Sequence, residues 1–182
     1  MLRYLFRLLP ILCLPLAACG GGNDSLPQAG TYLGGRESVE CAPFARALTG
    51  VSLTGDAADW WTEADGRYDR SHAPQVGSVL VLRRSDRLPH GHVSVVSRVV
   101  SRRQIMVTQA NWVHGRITED QPVLDVSEDN DWSIIRVWWP PSGTMGVTDY
   151  QAAGFIRPDR SLTHDRIIAA APRAVRIAQS GW

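Results

Sequence analysis

Ser78-Val79-Leu80-Val81-Leu82-Arg83-Arg84-Ser85-Asp86-Arg87-Leu88-Pro89-His90-Gly91-His92-Val93-Ser94-Val95-Val96 reads as two strands joined by a polar loop. Val79 to Leu82 is an unbroken apolar run of buried-strand length. In the second strand Val93 and Val95 alternate with His92 and Ser94, so its two faces meet different surroundings. Pro89 and Gly91 punctuate a loop short enough to favour antiparallel pairing. A histidine at the end of such a strand, on the half-open face, can meet a helix terminus packed across the sheet.

Further strands follow at Gln104 to Ala110, Val123 to Val126 and Ile134 to Trp139, with Ser101 to Arg103 as a tight connection. On the N-terminal side, Ser38 to Thr49 reads as a helix, with Ser38 as N-cap, Phe44, Ala45 and Leu48 on one side and Gly50 as the stop. Asp56 to Asp65 reads as a second helical piece carrying Trp60 and Trp61. Helices first and strands afterwards is an α+β order. Pro140-Pro141 ends the sheet pattern, and a glycine-rich segment through Gly154 leads to a helix from about His164 to Gln179, bent or broken at Pro172.

A length of 182 residues with 44% hydrophobic and 20% charged residues suits one globular domain with appendages. The formal net charge of +1 supplies no field that would draw in a polyanion, so no nucleic-acid partner is expected. Arg3 and Arg7 precede an apolar run from Leu8 to Ala18, shorter than the roughly 20 residues a spanning helix needs, and this pattern reads as an export signal. Its end, Leu16-Ala17-Ala18-Cys19, resembles the lipobox of bacterial lipoproteins, which implies cleavage before Cys19 and a lipid on that residue. Gly20 in the next position resembles the default for the outer membrane in a host with two membranes. The expected organisation is therefore a signal at 1–18, a flexible tether at 19–37, a catalytic unit at 38–142 and a C-terminal extension with a helix at 143–182. That extension could serve as a docking helix or as an arm for a protein partner.

Of the three cysteines, Cys13 lies in the signal and Cys19 would be acylated, so Cys41 remains as the free thiol of an exported chain. It falls in the first turn of the predicted helix. There the macrodipole favours thiolate over thiol, and unpaired N–H groups point to where an oxyanion would form. His92 is the candidate base, with His90 and His114 as rivals. Gln109 and Asn111, sharing a face at the end of a strand, are candidates to orient the imidazole. A zinc site built on Asp86, His90 and His92 lacks a firm third ligand, so neither metal nor other cofactor is expected. Trp60, Trp61 and Trp112 either line a substrate groove or belong to the core.

Five runs in order carry a resemblance: Glu40-Cys41-Ala42-Pro43-Phe44-Ala45-Arg46, Gly55-Asp56-Ala57-Ala58-Asp59-Trp60-Trp61, Pro74-Gln75-Val76-Gly77-Ser78-Val79-Leu80-Val81, Gly91-His92-Val93-Ser94-Val95-Val96 and Gln109-Ala110-Asn111-Trp112. Together they resemble the CHAP family of cysteine, histidine-dependent amidohydrolases and peptidases. The resemblance implies a papain-like α+β fold, with an N-terminal nucleophile helix packed on a small antiparallel sheet of about five strands. It implies Cys41 as nucleophile, His92 as base, no cofactor, and hydrolysis of amide or peptide bonds in peptidoglycan. Many members carry Glu where this chain has Gln109, so Asn111 is favoured as the third member, assisted by Gln109. No counterpart of the calcium loop of some relatives precedes Cys41. The alternative is an inactive module that keeps the family fold and binds peptidoglycan or a protein partner at the envelope.

Overall fold

The computed structural model describes residues 30–181. The expected signal, the lipid site at Cys19 and most of the tether lie outside the described residues. The strands are β1 (Thr31–Leu33), β2 (Asp69–Ser71), β3 (Val79–Leu82), β4 (His92–Ser101), β5 (Gln104–Ala110), β6 (Ile117–Asp125), β7 (Ile134–Trp139), β8 (Thr144–Met145) and β9 (Tyr150–Arg157). The α-helices are α1 (Cys41–Thr49), α2 (Trp60–Glu63) and α3 (His164–Ser180), and a 3-10 turn, Ala57–Asp59, leads into α2.

The expected papain-like α+β architecture is overturned. The strands form one nine-stranded antiparallel sheet in the order β1-β6-β5-β4-β3-β9-β7-β8, with β2 beside β9. A further pairing of β6 with β7 closes β3, β4, β5, β6, β7 and β9 into a six-stranded barrel, so the chain is mainly β. Two readings of the sequence led away from this. The strand read as Val123 to Val126 is β6, which starts at Ile117 and carries Pro122 opposite Met106. The glycine-rich segment read through Gly154 instead contains β9, which pairs with both β3 and β7. Gly154 is required there because a Cβ would lie 2.6 Å from the Trp61 ring, at a φ of +135°.

Strand alternation divides the apolar residues into two cores. Leu80, Leu82, Val96, Ile105, Val107, Val123, Ile135 and Phe155 fill the barrel. Val79, Val81, Val93, Val95, Ala110 and Ile117 face outward and are covered by Phe44 and Leu48 of α1, Trp60 of α2, and Ile167 and Ala171 of α3. Burying these faces is what holds helices and barrel together, at about 1.5–3 kcal/mol per large side chain. The residues assigned to the C-terminal extension thus supply β9, a barrel strand, and α3, which packs on α1. Helix α3 continues through Pro172 without interruption. Arg160, just before it, donates to the carbonyls of Leu48 and Thr49, at 2.7 and 3.0 Å, and so satisfies the C-terminus of α1.

Candidate active site

Helix α1 starts at Cys41, later than the predicted Ser38, with Glu40 in the extended N-cap position and no side chain capping it. The N–H groups of Cys41 and Ala42 therefore remain available, while Pro43 in the same turn has none to satisfy. At the other end Gly50, at φ +80°, donates to the Arg46 carbonyl at 2.7 Å and stops the helix.

His92 is the first residue of β4, opposite Leu82, and takes the barrel-side face, as the alternation with Val93 and Val95 predicts. Gly91 sets the entry to the strand at φ +70°, and a Cβ there would lie 2.5 Å from that of Ala58 and 2.6 Å from the Leu82 carbonyl. The imidazole lines the same cleft as the Cys41 thiol and faces it. Its Nε2 lies 2.8 Å from Gln109 Oε1. Trp112 packs edge-on against the ring at 5.1 Å, and Tyr150 packs on Trp112 at 5.2 Å.

Burial of the Cys41 thiol opposes ionisation. The facing His92, the hydrogen bond with it and the backbone N–H of Val93 outweigh that effect and hold the thiol below its ordinary value, with Glu40 opposing. Burial likewise disfavours charge on His92, but Cys41, Gln109 and Glu40 together raise it above the usual imidazole value. Both shifts favour a thiolate–imidazolium pair.

Among the candidates for orienting the imidazole, Gln109 and not Asn111 meets His92. Asn111 Nδ2 donates to Glu40 Oε2 at 2.7 Å, and its Oδ1 accepts from the Gly115 N–H at 2.8 Å, so both ends are engaged elsewhere. His90 pairs with Asp56 at 3.1 Å, and His114 is exposed, so neither rival reaches the thiol. His90 and His92 bind different partners, and among the described residues no three His, Cys, Asp or Glu side chains are grouped to hold a metal ion. Trp60 is fully buried in the core. Trp61 lines a separate cleft of about 870 Å³ with Arg70 above its ring, and of the three tryptophans Trp112 is the one beside His92.

Two clefts flank the pair and share Arg87, Leu88, His92 and Asn111, making one groove. The arm of about 690 Å³ carries Glu40, Arg46, Asp56 and His90. The other, about 480 Å³, carries Trp112, Trp139 and Tyr150. Trp139 and Tyr150 are absent from the sequence-based candidates. So is Gln121, a buried residue that accepts from Gln109 at 2.8 Å. Alternation along β6 with Val123 puts Gln121 on the barrel face, two residues before the strand read from Val123 onward.

Residues 31–111 match the family model of the CHAP domain, a span that contains Cys41, His92, Gln109 and Asn111. This segment is similar to a CHAP domain. CHAP domains are generally amidohydrolases or peptidases, and the match suggests a function of the peptidoglycan-hydrolase type. It ends where β5 ends, so β6 to β9 and α3 lie beyond it. No curated protein matches the chain.

Proposed function

We propose that the protein is a peptidoglycan hydrolase that cuts an amide or peptide bond of the stem peptide through a cysteine acyl-enzyme. The observation that carries this reading is Cys41 at the start of α1, in one cleft with a His92 whose Nε2 is held by Gln109. The thiolate adds to the scissile carbonyl, and the N–H groups of Cys41 and Ala42 are placed to stabilise the developing oxyanion. The imidazolium gives its proton to the leaving amine as the acyl-enzyme forms. Neutral His92 then takes a proton from water, whose oxygen attacks the acyl carbon, and returns it to sulfur as the product acid leaves.

Glycan and peptide would occupy the groove on either side of Cys41, with Trp112, Trp139 and Tyr150 offering stacking surface on one arm and Arg46 and Arg87 offering charge to peptide carboxylates on the other. Export and a lipid on Cys19 would hold the domain at the cell envelope, on the periplasmic face of the outer membrane in a host with two membranes. The test is digestion of purified peptidoglycan by residues 30–182 and by their Cys41→Ala variant, with released fragments identified by mass spectrometry. Release by the first alone is expected. Equal release by both removes Cys41 from the reaction, and release by neither favours the inactive binding module.

A further inference from the structure

An amide makes an ambiguous partner for a histidine. A carboxylate can only accept from the imidazole, but a glutamine turned end for end offers donors instead, so something must set which end of Gln109 faces His92. A chain of buried hydrogen bonds supplies that direction. The Trp138 main-chain carbonyl can only accept, and Gln121 Nε2 donates to it at 2.5 Å. Gln121 Oε1 is thereby turned the other way, where it accepts from the Thr118 hydroxyl and, at 2.8 Å, from Gln109 Nε2. Gln109 is then left with Oε1 toward His92 Nε2. A carbonyl oxygen accepts, so Nε2 must carry the hydrogen and Nδ1 is the nitrogen left for sulfur.

The sense of this relay follows from its end at a backbone carbonyl, independently of how either amide is drawn. His92, Gln109 and Gln121 are 5%, 2% and 0% exposed, so water cannot readily repair a reversed amide. Reversing Gln121 would set its oxygen against the Trp138 oxygen, and reversing Gln109 alone would set two amide nitrogens against each other. We propose that Gln121, anchored on the Trp138 carbonyl, is a positioning residue that holds Gln109 in one orientation and thereby keeps the proton of neutral His92 on Nε2. The proposal rests on Cys41 and His92 being the reacting pair, and it gives residues beyond the CHAP match a part in the reaction.

The test needs no peptidoglycan, so it stands or falls separately from the substrate reading. In the Cys41→Ala variant His92 is neutral near its alkaline plateau, and 15N NMR of the labelled ring reads its tautomer. The hydrogen is expected on Nε2, and finding it on Nδ1 overturns the proposal. In the chain with Cys41 intact, Gln121→Leu should slow alkylation by iodoacetamide at neutral pH by about tenfold, the factor that one hydrogen bond to a charged group is worth. It should also move the acid limb of the alkylation profile to higher pH. Gln121→Glu should restore much of the rate, because a buried carboxyl kept protonated still donates to Trp138 and accepts from Gln109. An unchanged profile in folded Gln121→Leu overturns the proposal, and if that variant does not fold, the tautomer in Cys41→Ala decides.

Discussion

Residues 31–111 and residues 112–181 contribute to the same site in different ways. The first segment, the span of the CHAP match, brings together the thiol, the imidazole and the amide that meets it. The second contributes no atom to that trio, yet it closes the barrel through β9 and the pairing of β6 with β7. It also caps α1 through Arg160, adds Trp139 and Tyr150 to the groove and ends the buried amide chain at Trp138. Reactive groups can thus be concentrated in one stretch of chain while their orientation depends on another, because orientation is set by whatever occupies the far side of each buried group.

Exchange in each segment separates these contributions. Cys41→Ala in the first should lower peptidoglycan hydrolysis on the order of 10⁴-fold or more, with the unfolding midpoint in urea almost unmoved. A large shift of that midpoint would mean that the thiol is mainly a packing group. Phe155→Ala in the second segment empties a fully buried position in the barrel against Trp132, and a loss of about 3–5 kcal/mol in urea denaturation is expected. A loss under about 1 kcal/mol would show that barrel closure through β9 matters little to the first segment.

Gly91→Ala forces a Cβ against Ala58 and the Leu82 carbonyl. It should cost about 1–3 kcal/mol and displace His92, which a fall in kcat larger than any rise in KM would register. For the pair itself, the sign of the pH response follows from the two shifts. The thiolate is lost as pH falls through the lowered Cys41 value, and the imidazolium is lost as pH rises through the raised His92 value. Alkylation of Cys41 should therefore persist well below the range in which an ordinary thiol ionises. A profile that tracks a free thiol would break the assignment of the pair. The smallest effect is expected for Arg160→Ala, about 1 kcal/mol of stability with little change in kcat, since it removes donors to Leu48 and Thr49 at the end of α1 remote from Cys41.

Much of the site was legible in the chain because its signals are local. Helix starts and strand alternation depend on neighbours a few residues away, so the reading placed Cys41 in a first helical turn and His92 opposite in facing to Val93 and Val95. The choice between Gln109 and Asn111 was not local. Gln109 lies near the end of β5 and Asn111 just beyond it, and what separated them was Glu40 and the Gly115 N–H drawing Asn111 away. The tryptophans illustrate the same limit: adjacent Trp60 and Trp61 parted into the core and a remote cleft because adjacent helical residues face different ways.

From its residues alone, this chain declared a lone cysteine at a helix start, a histidine at a strand start, and the family that their surroundings resemble. Tertiary structure alone decided that the sheet closes on itself, that Gln109 takes the imidazole, and that Gln121 and Trp138 stand behind it. Those outcomes turn on pairings between distant strands and on which buried donor finds which acceptor, and such competition is settled only when the whole barrel is assembled.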